Sequence, residues 1–209
     1  MRNYLFILFV LLSLTSMIAQ EVAMNALEID VFKLQVSNAS KSTTTIASDF
    51  VQFKHLDFLD NDIETSGKLV FKAPGLVKWE YTHPYQYSVI FKEDKLLIND
   101  DGTKSDVDIG SSKMFKKLNQ LIVNSVKGTM FDDDDFEISY AKVDKANKAT
   151  FIPKDKKIAG YIAAFELLFN KNDGTVQEVK MIEPSLDFTR IVFSNRVLNG
   201  TVKDAVFNN

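Results

Sequence analysis

Two histidines, His55 and His83, are the only imidazoles in the chain, and there is no cysteine. Neither histidine has a second ligand at metal-binding spacing, so both read as surface or structural residues. The run Asp132-Asp133-Asp134-Asp135 is rich in oxygen ligands. It lacks the alternating spacing and the glycine of an EF-hand loop, and it reads as a solvated acidic loop. No Gly-x-Ser-x-Gly elbow presents a nucleophile. No glycine-rich loop ending in Gly-Lys-Ser/Thr cradles a nucleotide. Without a thiol the chain has no disulfide framework, no cysteine metal site and no N-terminal cysteine to lipidate. Neither an enzyme, a metal site nor a cofactor is expected.

What the sequence supplies is apolar surface in a repeating order. Ser66 to Phe91 reads SGKLVFKAPGLVKWEYTHPYQYSVIF. Gly67, Leu69 and Phe71 alternate with Lys68, Val70 and Lys72. A turn follows at Ala73-Pro74-Gly75, where proline sets φ and glycine is free to take a positive φ. Val77, Trp79 and Tyr81 then alternate with Lys78 and Glu80. Pro84 breaks the ladder, and Tyr85, Tyr87, Val89 and Phe91 alternate with Gln86 and Ser88. Period-two alternation bounded by glycine and proline predicts three antiparallel strands with one apolar face. A face so dense in aromatics must be covered, or must hold something against it.

The 209 residues carry a net charge of -3, which gives a nucleic-acid partner no electrostatic support. There are 17 phenylalanines and one tryptophan. Phenylalanine suits half-buried strands, and it also suits a wall against an acyl chain. Met1 to Ala19 has a basic start at Arg2, an apolar run from Tyr4 to Leu14, and small or polar residues at Ser13, Thr15, Ser16 and Ala19. The run is shorter than a membrane span needs. It fits a secretory signal peptide over 1–19, cut to leave Gln20. The expected product is one exported domain over 20–209, periplasmic in a cell with two membranes.

The other elements must build the rest of that sheet. Glu21 to Ser40 reads as a helix with Leu27, Val31 and Leu34 on one face and Phe32, Val36 and Ala39 on another, so both faces are expected to touch something. Thr45 to His55 alternates as a strand, with Phe50 in line with Ile46, Ser48 and Gln52. Glu93-Asp94-Lys95 and Asn99-Asp100-Asp101-Gly102 are hairpin turns on either side of Leu96 to Ile98, and Thr103 to Ile109 follows as a polar strand. Gly110 to Gly128 is the clearest helix. Met114, Phe115, Leu118, Leu121, Ile122 and Val126 recur at helical spacing, which makes it a candidate lid over the aromatic face. Phe136, Ile138 and Tyr140 alternate, Asn147 marks a turn, and Thr150 to Ile152 is a short strand stopped by Pro153. Lys154 to Lys157 reads as a solvated connection. Phe165, Leu167 and Phe169 share one side of a strand that ends at the Asn172-Asp173-Gly174 hairpin. Val176 to Glu183 and Phe188 to Ser194 complete the sheet. About ten or eleven strands with so few helices exclude alternating βαβ units and fit an incomplete antiparallel barrel with helices filling its mouth.

In their order, these features resemble a known family. The runs SDFVQFK, SGKLVFKAPGLVKWEYTHP and FTRIVFSN look like the periplasmic lipoprotein carriers called LolA. Members show a Phe-x-Gln strand, here Phe50 and Gln52, and a Gly-x-Leu/Phe strand, here Gly67 and Leu69. A Pro-x-x-x-x-Trp strand with a proline soon after is matched by Pro74, Trp79 and Pro84. The likeness runs from about Phe32 to Phe207. It implies a mainly β fold with a few helices, a curved antiparallel half-barrel with a helical lid over a hydrophobic cavity. It implies a monomeric periplasmic carrier that shields the acyl chains of lipoproteins and ferries them from inner to outer membrane. An inner-membrane complex would load it, and an outer-membrane acceptor would unload it. Well-studied members place an arginine before the turn proline, where it contacts the lid, and this chain has Ala73.

With that resemblance, the residues expected to line a lipid cavity are Phe50, Leu69, Phe71, Trp79, Tyr81, Tyr87 and Val89. Phe165, Leu167, Phe169 and Met181 join them from the later strands. Phe115, Leu118 and Ile122 would face the cavity from the lid. Two alternatives stay open. Some LolA-like proteins resemble carriers of other acylated lipids, such as aryl-polyene or flexirubin-type pigment precursors. The half-barrel could also be packed with its own side chains and serve as an interaction domain, since alternating aromatics often just form a core.

Overall fold

The computed structural model describes residues 21–109, 130–132 and 135–208. The expected signal peptide, and the 110–128 helix with Phe115, Leu118 and Ile122, lie outside the described residues.

Among the described residues the sheet has 12 strands. They are β1 (Glu21–Ala23), β2 (Thr45–His55), β3 (Ile63–Lys72), β4 (Leu76–His83), β5 (Tyr87–Lys92), β6 (Lys95–Asp100), β7 (Thr103–Asp108), β8 (Phe136–Val143), β9 (Ala146–Pro153), β10 (Ala164–Asn170), β11 (Val176–Ile182) and β12 (Phe188–Leu198). Their order is β1-β8-β9-β10-β11-β12-β2-β3-β4-β5-β6-β7, and every neighbouring pair is antiparallel. The chain thus builds two meanders that join where β12 pairs with β2, from Phe188 opposite His55 to Leu198 opposite Ile46. The sheet is open and curved, with β1 and β7 as its edges.

Helix α1 (Ala26–Lys41) lies on the β8–β11 half of the sheet. Its start is fixed by a capping box. Asn25 Oδ1 accepts from the Glu28 amide at 3.0 Å, and Glu28 Oε2 accepts from the Asn25 amide at 3.0 Å. Phe32 and Val36 are the residues it buries, in a core with Phe136, Phe151, Phe165, Leu167 and Phe169. Phe32 meets Phe169 edge-on at 5.1 Å between centroids and Phe131 at 5.4 Å.

Several boundaries differ from the sequence reading, each for a local reason. The helix begins at Ala26, because Glu21 to Ala23 adds to the sheet edge opposite Val143 to Ala141. Only one face of α1 is buried: Leu27, Val31 and Leu34 are 72%, 59% and 61% exposed. Gly75 does not take a positive φ, whereas Gly102 (φ 90°) and Gly174 (φ 69°) do. The turn before β9 falls at Asp144 (φ 45°) and Lys145, so Asn147 sits inside a strand that runs on to Pro153. Proline is tolerated there because it ends the strand, where a missing N–H costs little. Asp155 turns the connection after it into a single-turn helix, α2 (Lys156–Ala159), by accepting from the amides of Lys157 and Ile158. β12 does not stop at Ser194 but continues to Leu198 through a bulge.

Candidate functional site

Between α1 and the sheet lies a cavity of about 370 Å³, within the range of about 300–1,000 Å³ typical of small-molecule sites. Register decides which side chains meet there. Leu69 on β3 stands opposite Trp79 on β4, so both project from one face. Phe91 on β5 reaches the same space. From the other half of the sheet, Phe165 pairs with Met181 and Leu167 with Val179, and Val179 pairs in turn with Ile191 on β12. Those five residues and Phe193 make the second wall. Val36, Ala39 and Ser40 of α1 and Met130 close the space opposite the sheet. Among the described residues the lining is almost wholly apolar, with hydroxyls from Ser40, Thr43, Ser48, Thr175 and Thr189 and a single charged side chain, Arg196.

Of the residues expected at a lipid cavity, Leu69, Trp79, Phe165, Leu167 and Met181 line this one. The others in the described residues share the face but lie outside its wall. Phe50 is buried behind it, 4.8 Å from Trp79 and edge-on to Tyr81 at 5.2 Å. The Tyr81 ring is free to reach Phe50 because Gly67, which stands between them in the register, has no side chain. Phe71 is buried in the sheet, and Phe169 is buried in the core against Phe32. Val89 pairs with Trp79 without reaching the cavity. Tyr81 and Tyr87 border a separate hollow of about 110 Å³ with Gln86 and Asn99. The Tyr81 hydroxyl donates to Gln52 Oε1 at 3.0 Å. Burial, and next the charge of Tyr85, push its pKa up to about 12.

The sequence reading missed the β12 side of the cavity. Thr189, Ile191 and Phe193 alternate with Arg190 and Val192, and that period was the available signal. Arg196 and Leu198 had none, because a bulge between Ser194 and Val197 reverses which residues face inward.

An open, curved antiparallel sheet with a helix across an apolar cavity is a LolA-like half-barrel. The chain belongs to the LolA family: the family model described as Outer membrane lipoprotein carrier protein LolA matches residues 41–209. Solved structures share the fold at low identity. An uncharacterized conserved protein from Thermus thermophilus aligns with a TM-score of 0.53 at 10% identity, covering 87% of this chain and 93% of that one. A DUF1329 family protein from Desulfovibrio piger aligns at 0.52 and 13% identity, covering 86% and 97%. The lipoprotein LppX of Mycobacterium tuberculosis aligns at 0.50 and 13% identity, covering 86% and 99%. No curated protein matches the chain. Family membership supports a role in binding lipid or lipoprotein, and the members of the family are carrier or binding proteins.

Proposed function

We propose that this protein is a periplasmic carrier that takes acylated cargo, a lipoprotein or another acylated lipid, into its cavity and ferries it from the inner to the outer membrane. The observation that carries this reading is the apolar cavity of about 370 Å³ between α1 and the sheet. A self-filled interaction domain would have no reason to keep such a space, since protein interiors close-pack.

The physical demand is simple. Burying one methylene is worth about 0.8 kcal/mol, so a chain of sixteen carbons is held in a membrane by about 12–13 kcal/mol. A carrier must offer comparable apolar wall and still give the cargo up. Leu69, Trp79, Phe165, Leu167 and Met181 supply area, and the unbranched Met130 and Met181 adapt to the path of the chain. The sequence has no phosphate loop, so the energy of loading comes from a partner. The family points to an inner-membrane loading complex and an outer-membrane acceptor, with the carrier acting as a monomer. The 110–128 helix is the candidate lid in this scheme, and residues 1–19 are the export signal.

Native mass spectrometry on protein purified from the periplasm without detergent tests this. The expected result is a bound acyl species that is lost in Met181→Glu and in Trp79→Glu, which place a charge in the wall. An unliganded protein that also takes up no fluorescent fatty acid would favour the interaction-domain alternative.

A further inference from the structure

Arg196 is the single charged side chain lining the cavity among the described residues. It points inward because the backbone is built to turn it there. Thr189, Ile191 and Phe193 face the cavity along β12, so a regular strand would next present Asn195 and Val197. Instead, Ser194 pairs with Asp49 and Val197 with Ala47, leaving Asn195 and Arg196 together opposite Ser48. Asn195 takes φ 49°. After this bulge the phase is reversed: Arg196 and Leu198 line the cavity, and Val197 is 55% exposed. The bulge is fastened on both sides. The Ser48 hydroxyl donates to the Ser194 carbonyl at 2.7 Å, and Asn195 Nδ2 donates to Asp49 Oδ2 at 2.8 Å.

The guanidinium arrives with donors to spare. It donates to the Val176 carbonyl at the start of β11, its one hydrogen bond among the described residues. A guanidinium has five N–H donors. No described carboxylate forms an ion pair with it. Asp173 exerts an opposing charge without forming an ion pair, and its Oδ1 accepts from the Thr175 amide at 2.9 Å and the Thr175 hydroxyl at 2.6 Å. Burial pulls the Arg196 pKa down from its ordinary value, and Asp173 only partly opposes this. A half-buried cation with unused donors beside an apolar wall is unfavourable until an anion takes them.

We propose that Arg196 binds the anionic head group, a carboxylate or a phosphate, of an amphiphile whose acyl chain fills the cavity. The planar fork of the guanidinium matches either group with two parallel hydrogen bonds. This rests on the carrier reading and narrows it, because it makes the cargo a lipid charged next to its chain.

The test is displacement of neutral N-phenyl-1-naphthylamine from delipidated full-length protein by dodecanoate, dodecyl phosphate and dodecanol, near pH 8, where the acids are ionised. The expected result is that at least one anion displaces the probe at a concentration at least about tenfold below that of dodecanol. The stronger of the two anions identifies the head group. Arg196→Gln abolishes the preference, bringing the anion midpoints to that of dodecanol measured on the same variant, and a cooperative urea transition shows that the variant is folded. Arg196→Lys keeps part of the preference. If wild-type protein binds the probe but ranks both anions with dodecanol, or if Arg196→Gln keeps the preference, Arg196 merely ties β12 to β11 and the inference is wrong, while the carrier reading stands. If the protein binds neither probe nor amphiphile, the carrier reading fails and takes the inference with it.

Discussion

Gly67 on β3 and the Glu80 carbonyl on β4 approach so closely that a Cβ on Gly67 would stand 1.9 Å from that oxygen. The pair sits beside a register shift, since Ser66 pairs with His83 and Gly67 with Tyr81. The obstacle is backbone, so no rotamer change relieves it. Gly67→Ala must push β4 off β3, and overpacking of this kind costs about 1–3 kcal/mol or more. Urea denaturation should show a lower midpoint with an unchanged slope. Displacing β4 also moves Trp79, so ligand uptake should weaken in the same variant.

Core and cavity wall should separate in a mutant series. Phe169 is fully buried against Phe32 and lies outside the cavity, whereas Met181 lines it. Phe169→Ala should cost about 3–5 kcal/mol of stability, because it leaves a void in close packing. Met181→Ala should cost clearly less, because its site already borders empty space, and should alter ligand affinity. Chemical denaturation and probe binding on the same two variants check this.

Filling the cavity should block uptake and leave the fold intact. Ile191 projects into the space from the middle of β12. Ile191→Trp adds volume where the wall is not close-packed, so it should change stability by no more than about 1 kcal/mol, less than overpacking a dense core costs. Uptake of a fluorescent fatty acid should fall at least about tenfold, equivalent to about 1.4 kcal/mol of lost binding.

Tyr81 gives a pH dependence with a definite sign. Burial holds its neutral form, raising the pKa from an ordinary value of 10.0 to about 12. Below pH 10 the native and unfolded states are both protonated at this group and its contribution to stability is complete. Between about pH 10 and 12 the unfolded state gives up the proton first, so stability falls as pH rises. Comparing urea midpoints near pH 9 and pH 11, wild-type protein should lose more than Tyr81→Phe, which has no phenol to ionise.

Much of the sheet was legible in the sequence because half-buried strands alternate. β2 was bounded at Thr45 and His55 on its period alone, and β10 places Phe165, Leu167 and Phe169 on one buried side as the alternation predicts. Length was less legible. The sequence reading bounded β12 at Ser194, where the backbone does turn locally: Asn195 has a positive φ. Only pairing with β2 carries the strand past it, and pairing is a long-range fact. The face of each aromatic could be read, but not how far the cavity extends along it. Leu69, Trp79 and Val89 lie in one cross-strand row, yet Val89 falls beyond the wall. The helix face carrying Leu27, Val31 and Leu34 was expected to touch something because it is apolar, but these residues are exposed and α1 buries Phe32 and Val36.

The most direct test of the account is a crystal structure of the protein soaked with a fatty acid brominated along its chain, with the bromines located by anomalous scattering. The account predicts bromine peaks inside the cavity, between Leu69 and Trp79 on one side and Met181 and Phe193 on the other, with the carboxylate at Arg196. Peaks confined to the outer surface, or a cavity that stays empty at saturating ligand, would contradict it.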